Sequence, residues 1–154
     1  MADLKSYLTR AVAEEASDLF IIAGGPISAK IDGRIRPLEE GKLLPPDTEA
    51  LISEIYDLAG RGKEKYLATG DDDFSFAIPG LSRFRVNAYR QRGSLAAVVR
   101  VVSFDIPKYS EINIPESVME LASIAHGMIL FTGTAGSGKS TTQACLIDRI
   151  NQTR

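Results

Sequence analysis

The sequence predicts an α/β protein: a small α/β domain with a mostly antiparallel sheet, followed by the beginning of a second α/β domain. Short segments of alternating polar and apolar residues follow one another across tight turns, as in antiparallel hairpins. Other segments carry apolar residues at helical spacing. Near residue 110 the order changes to helix, apolar strand, glycine-rich loop and helix. The predicted boundaries are a domain at 1–103, a linker at 104–114 and the start of a second domain at 115–154.

The first elements are a helix, a strand and a hairpin. Apolar residues at helical spacing predict a helix over residues 3–16. Residues 18–23 form a short apolar segment that ends at two glycines, which predicts a strand. Asp32-Gly33 separates two alternating segments, 29–31 and 34–36, and this dipeptide predicts a type I′ hairpin turn.

A second helix and a strand come next. Pro45-Pro46 opens the helix, Asp47 is its predicted cap, and Gly60 ends it. A lysine-rich connector leads to an alternating strand at 74–78. Asp71-Asp72-Asp73 is interpreted as a turn, and a cation-binding cluster is the alternative.

Two further strands carry arginines. Residues 83–89 alternate, with Phe84, Val86 and Ala88 on one face. After a turn at 91–93, residues 95–102 are apolar except for Arg100, which predicts a strand covered on both faces. A buried arginine there requires an anion, because an unpaired buried charge costs roughly several kcal/mol.

The second domain begins with a helix at Pro115 that Gly127 ends. His126 is then a residue at the helix C-terminus, where the helix dipole favours it. Residues 128–132 are predicted to be a buried strand, and a loop and a helix follow. Cys145 on that last helix is expected to pack inside.

Composition limits the class of protein. The chain has 154 residues, of which 44% are hydrophobic and 25% charged, as in globular proteins. No apolar run approaches the roughly 20 residues of a membrane helix, and the acidic N-terminus does not resemble a signal peptide. The single cysteine excludes an internal disulfide and a thiolate zinc site. We therefore expect a cytoplasmic protein.

The charge is unevenly distributed. The chain carries a net charge of −2, yet no acid lies between Asp73 and Asp105, a segment that holds Arg83, Arg85, Arg90, Arg92 and Arg100. Such a segment is expected to face an external anion or a neighbouring acidic surface, and a charged strand edge is the alternative. Nucleic-acid binding is disfavoured by the negative net charge and the few interleaved aromatic residues.

The glycine-rich loop is a phosphate-binding motif. Residues 133–140, GTAGSGKS, match G-x-x-x-x-G-K-[ST] at every fixed position. Glycines let backbone N–H groups surround the phosphates, Lys139 contacts the β- and γ-phosphates, and the Ser140 hydroxyl binds Mg²⁺. The sequence thus predicts an ATP and Mg²⁺ site, with these binding residues: Gly133, Thr134, Ala135, Gly136, Ser137, Gly138, Lys139, Ser140 and Thr141.

Hydrolysis also requires an acidic residue at the end of a strand to hold the metal ion. After Lys139 the sole acid is Asp148, which lies within the predicted helix. Asp105 follows an apolar segment, but it precedes the loop and lies in the predicted linker. Neither Asp148 nor Asp105 therefore matches well the pattern of a metal-binding acid at the end of a strand.

The motifs together resemble the secretion ATPases of the type II secretion and type IV pilus family. The matching segments are Ala16-Ser17-Asp18-Leu19 with Gly25-Pro26, Ile31-Asp32-Gly33, Phe84-Arg85-Val86-Asn87, Gln91-Arg92-Gly93 and residues 133–142, GTAGSGKSTT. The resemblance implies a PAS-like N-terminal domain followed by a RecA-like ATPase domain. The short lead before Ala16 is similar to that of the twitching-motility retraction members. Phe20 replaces a histidine common in the family.

The resemblance also implies a function. It implies a hexameric cytoplasmic motor, peripheral to the membrane, that hydrolyses ATP with Mg²⁺ and works with an inner-membrane platform protein. Arg85 and Arg100 would contact the phosphates and share in catalysis with Lys139, and Arg92 is a weaker ATP-binding candidate. The family's acidic box, Walker B strand and histidine box fall beyond residue 154, so we expect a truncated form that is inactive by itself. An assembly-type ATPase and a non-enzymatic oligomerisation module are the alternatives.

Overall fold

A computed structural model describes residues 3–103, 106–134 and 136–153. The chain divides into two compact units, residues 1–104 and residues 105–154. Each unit is described by itself below.

The first unit contains one six-stranded sheet. Its strands are β1 (Asp18–Ile21), β2 (Ser28–Ile31), β3 (Arg34–Pro37), β4 (Asp71–Ile78), β5 (Ser82–Gln91) and β6 (Ser94–Val102). They lie in the order β3-β2-β1-β6-β5-β4, and every neighbouring pair is antiparallel. The antiparallel sheet predicted from the alternating segments is confirmed.

Three helices accompany the sheet. They are α1 (Leu4–Ala13), α2 (Pro45–Leu58) and α3 (Glu64–Thr69). The side chain of Asp3 begins α1 by accepting a hydrogen bond from the backbone N–H of Ser6. This satisfies one of the donors that a helix start leaves unpaired.

The core of the first unit lies between the helices and one face of the sheet. The predicted inward residues of β5, Phe84, Val86 and Ala88, are fully buried. They belong to one cluster that also takes in apolar residues of α1, α2 and α3. Alternation along β5 leaves Arg83 and Arg85 on the opposite face.

The turn between β2 and β3 has the predicted conformation. Asp32 and Gly33 have φ angles of 50° and 75°, so both central residues are left-handed. A type I′ turn requires this and matches the twist of the two strands.

Three predictions in the middle of the chain are wrong in detail. The connector contains helix α3, because Tyr66 packs into the core with no exposed surface. Asp71-Asp72-Asp73 begins β4 instead of forming a turn. Asp47 is not the cap residue but lies three positions after it, where its carboxylate accepts a 2.7 Å hydrogen bond from the backbone N–H of Leu44.

The second unit contains α4 (Glu116–Met119), a 3₁₀ turn (Glu120–Ser123) and α5 (Lys139–Thr153). The predicted helix from Pro115 therefore ends at Ser123, and His126 lies in an exposed bend outside it. Cys145 is buried, in agreement with the prediction, and its thiol lies 3.3 Å from the carbonyl of Pro107.

The predicted buried strand at residues 128–132 does not form. Met128 is 90% exposed and Leu130 is 78% exposed. A strand requires a neighbour for its backbone hydrogen bonds. The described residues of the second unit include no other strand beside which this segment can lie.

Within the described residues no helix is both long enough and apolar enough to cross a membrane.

Candidate functional site

The face of the sheet opposite the core carries a row of charged side chains. Arg85 of β5 lies directly across from Arg100 of β6, and Arg100 lies across from Asp18 of β1. Asp18 in turn lies across from Lys30 of β2. Like charges directly opposite each other destabilise a sheet unless other groups compensate them. We call the two facing arginines, Arg85 and Arg100, the arginine pair.

Arg85 is compensated by Asp73 of the neighbouring strand β4. Its guanidinium donates two hydrogen bonds to the carboxylate, from Nε at 3.1 Å and from Nη2 at 3.0 Å. This hydrogen bonding lowers the pKa of Asp73 and raises that of Arg85. The side chains of Arg85 and Asp73 are 60% and 48% exposed, so water competes with the ion pair.

Arg100 is compensated by Asp18. Its Nε lies 3.0 Å from Oδ1 of the carboxylate, and the side chain of Asp18 is only 10% exposed. The guanidinium is 63% exposed, and its two Nη groups have no partner among the described residues. Arg100 therefore keeps the four N–H donors of these two groups available to a ligand.

The acids that face the arginine pair belong to the first unit. Asp73 and Asp18 come from the strands that flank β5 and β6, outside the segment itself. The prediction that both faces of β6 are covered is wrong, because Arg100 lies on an exposed face. Its charge therefore does not require an external anion to offset burial.

Arg92 lies far from the arginine pair. It occupies the turn between β5 and β6, seven residues after Arg85. At about 3.3 Å per strand residue this is roughly 20 Å along the sheet. One phosphate group is too small to contact both Arg92 and the arginine pair.

The glycine-rich loop leads directly into α5. Gly133, Gly136 and Gly138 have φ angles of 148°, 79° and 85°, which only glycine adopts readily. A Cβ atom on Gly133 would lie 2.8 Å from the hydroxyl of Ser137. The loop thus requires glycine for its backbone conformation and for this close approach. Ala135 lies outside the described residues.

The remaining motif residues surround the start of α5. Lys139 is its first residue, and its ammonium donates a hydrogen bond to the carbonyl of Thr134 within the loop. The ammonium also lies 3.5 Å from the hydroxyl of Ser137. Ser140 is exposed and Thr141 is half-buried. The structure therefore places the lysine and the candidate metal-binding serine together at the end of the glycine turn.

A cavity of about 470 Å³ adjoins this loop inside the second unit. Gly138 and Thr141 form its polar side, while Ile114, Pro115 and Val118 form an apolar wall. Pockets with an apolar wall and a few polar groups are typical of small-molecule sites.

The other candidate metal contacts do not form a site in the described part of the chain. Asp105 lies outside the described residues. Asp148 accepts a 2.6 Å hydrogen bond from Gln152 within α5. Asp71, Asp72 and Asp73 alternate in β4, so that Asp72 is buried while its neighbours are exposed. No group of three or more metal-ligating side chains occurs among the residues described.

Comparison with known proteins identifies the family. The family model described as "Type II/IV secretion system protein" matches residues 1–154. The chain belongs to this family. The resemblance seen in the sequence motifs is confirmed.

Three relatives show the range of this similarity. The chain is 35% identical to the type IV pilus retractation ATPase PilT of Pseudomonas aeruginosa, over 99% of this chain and 44% of PilT. It is 32% identical to the type IV pilus ATPase PilU of the same organism, over 97% of this chain and 39% of PilU. A crystal structure of the pilus retraction motor PilT with bound ADP matches with a TM-score of 0.84 and 39% identity, over 100% of this chain and 45% of that one. The chain thus spans less than half the length of these relatives.

Sequence reasoning missed the acidic partners of the arginine pair. Asp18 and Arg100 are 82 positions apart, and no local pattern relates them. The Arg85–Asp73 pair had a usable signal, because two alternating segments joined by Pro79-Gly80 predict a hairpin. Pairing those segments across the turn brings Asp73 near Arg85.

Proposed function

We propose that this chain is the nucleotide-binding N-terminal part of an ATP-driven motor for type IV pilus retraction or type II secretion. Its glycine-rich loop binds the phosphates of ATP, and the arginine pair supplies further phosphate contacts. The motor acts as a hexamer, and the 154 residues alone bind ATP without turnover. The observation that carries the proposal is the left-handed glycine turn that ends at Lys139, the first residue of α5.

The loop has the chemistry of a triphosphate site. Left-handed glycines turn backbone N–H groups toward one point, and the N-terminus of a 15-residue helix adds a partial positive charge there. Lys139 supplies a full positive charge, and Ser140 supplies an exposed hydroxyl for Mg²⁺. The neighbouring cavity beside Ile114 and Val118 has an apolar wall against which a purine base can pack.

The arginine pair suits a polyphosphate. Two guanidinium groups lie on facing strand residues, each paired with a carboxylate, and arginine matches phosphate geometry with two parallel hydrogen bonds. Asp73 holds Arg85 only through an exposed ion pair, so a phosphate can replace that carboxylate. Arg92 lies roughly 20 Å from the pair along the sheet, so we do not include it among these phosphate contacts.

The family and its relatives support the choice of reaction. Two relatives are named as type IV pilus ATPases, PilT and PilU, and one of these names specifies retraction. The matching PilT structure holds ADP. These names favour a retraction motor over an assembly ATPase for this chain.

Calorimetric titration of the 154-residue chain with MgATP tests the proposal. We expect saturable binding that weakens by at least about tenfold in Lys139→Ala, because a charged hydrogen-bond donor to phosphate is lost. Arg85→Gln and Arg100→Gln are each expected to weaken binding by about tenfold for the same reason. Asp73→Asn is expected to tighten binding, since it releases Arg85 from its carboxylate.

Arg34→Gln is the matched control, because Arg34 is an exposed arginine on the edge strand β3. Its affinity for MgATP should equal that of the unaltered chain. Equal affinity in Lys139→Ala would overturn the loop as the binding site. Equal affinity in both arginine variants would overturn the role of the pair while leaving the loop assignment intact.

A further inference from the structure

A separate cavity lies wholly within the first unit. It measures about 350 Å³ and is formed where the turn between β5 and β6 approaches the loop that leads into α2. Its wall includes Leu43, Leu44 and Leu95, together with Gly24 and Ser94. Most of this wall is apolar. The volume suits a small organic molecule.

Two cations line this cavity, Lys42 from the loop and Arg92 from the turn. Neither forms an ion pair with any residue that the structure describes. The described residues of the wall contain no carboxylate. The cavity therefore combines two uncompensated positive charges with an apolar surface.

Three acids lie close to Lys42 in the sequence. Glu39, Glu40 and Asp47 line a different cavity, which shares Lys42 with this one. Glu39 accepts a hydrogen bond from the hydroxyl of Tyr7, and Asp47 accepts one from the backbone of Leu44. Lys42 forms no ion pair with any of these acids in the described part of the chain.

The backbone at Arg92 has a left-handed conformation. Arg92 has a φ of 50°, and the next residue, Gly93, has a φ of 84°. Asparagine, aspartate or glycine adopts the left-handed conformation more easily than arginine. The two-residue hairpin turn between β5 and β6 requires this conformation at both positions, so an arginine here carries a local backbone cost.

We propose that this cavity binds a small amphipathic organic anion. The phosphate or carboxylate group of the ligand contacts Lys42 and Arg92, and its apolar part packs against Leu44 and Leu95. Arg92 lies roughly 20 Å along the sheet from the arginine pair, so this site is distinct from the proposed phosphate contacts. The inference does not depend on the proposed nucleotide function.

Amide NMR titrations of the 154-residue chain test this site with four matched probes. Hexyl phosphate and hexanoate combine an anion with an apolar chain, whereas inorganic phosphate and hexanol each carry one of those features. We expect saturable shifts at Gly24, Ser94 and Leu95 with at least one amphipathic anion, and much weaker responses with the two single-feature probes. Tighter binding of hexyl phosphate identifies a phosphate ligand, and tighter binding of hexanoate identifies a carboxylate.

Two variants assign the contacts. Arg92→Asn removes the charge while introducing a residue that favours the left-handed turn, and Lys42→Gln removes the other charge at an exposed position. Each is expected to weaken binding of the amphipathic anion by about tenfold, since each removes a charged donor. Arg34→Gln, outside the cavity, should leave it unchanged. Unchanged affinity in both cavity variants, equal affinity for inorganic phosphate, or no saturable shift at these amides would each overturn the proposal.

Discussion

Buried Asp72 shows how a single carboxylate joins two helices to the sheet. Its side chain is fully buried, and it accepts hydrogen bonds from Tyr56 of α2 at 3.1 Å and from Lys65 of α3 at 3.0 Å. Arg61, between those helices, lies 3.2 Å from the same carboxylate. Burial alone raises the pKa of Asp72, but the bonds from Lys65 and Tyr56 and the charge of Arg61 outweigh it, so the pKa is lowered.

We predict that Asp72→Asn lowers the free energy of unfolding by about 1–3 kcal/mol at pH 7, because a buried ionic network loses its negative charge and one of its two acceptor oxygens. A carboxyl group with a lowered pKa in the folded state stabilises the fold above its unfolded pKa of 3.8, and this contribution disappears as the pH falls through the folded value. The difference between variant and unaltered chain should therefore shrink below pH 4. Urea unfolding at several pH values measures both effects.

Asp71→Asn is the control for this prediction, since Asp71 lies on the same strand with an exposed side chain. Its unfolding free energy should remain within about 0.5 kcal/mol of the unaltered chain, as for most surface substitutions. A difference for Asp72→Asn that is independent of pH would contradict the ionic explanation.

At the scale of elements, short sequence patterns correctly predicted the hairpins and strands whose conformation depends on neighbouring residues. The β2–β3 hairpin follows from Asp32-Gly33, because the turn itself requires two left-handed residues. The alternation of β5 follows from its one buried face. Helix α3 was missed because its stability depends on Tyr66, whose hydroxyl donates to the carbonyl of Tyr89 in the sheet. That contact joins residues 23 positions apart.

We predict that Gly33→Ala lowers the free energy of unfolding by about 1 kcal/mol, since alanine is strained at a φ of 75°. No atom lies within 4 Å of the added Cβ, so the effect arises from backbone conformation. Gly25→Ala is the matched control, because Gly25 has no positive φ and equally open surroundings. Chemical denaturation compares the two variants, and equal losses would contradict the strain argument.

At the scale of the whole molecule, the two units differ in how they bury apolar surface. Every residue of the main hydrophobic cluster lies between Leu4 and Val99, within the first unit. In the second unit, apolar side chains at Met128 and Leu130 remain exposed. A unit that holds its own core has the main requirement for folding alone.

We predict that residues 1–103 fold independently with one cooperative thermal transition. Amide NMR shifts of the core residues of β5 should match those in the 154-residue chain, because their contacts all come from the first unit. A chain of residues 1–103 that lacks a cooperative transition would show that the second unit contributes to this core.

The sequence by itself determined the features that depend on neighbouring residues: the antiparallel hairpins, the alternating faces of the strands, and the glycine-rich loop that ends at Lys139. Family membership also followed from these motifs. Only the tertiary structure decided which carboxylates pair with Arg85 and Arg100, how far Arg92 lies from that pair, and that residues 128–132 form no buried strand. The physical reason is that these properties depend on which strands lie side by side, and the order β3-β2-β1-β6-β5-β4 joins residues as distant as Asp18 and Arg100.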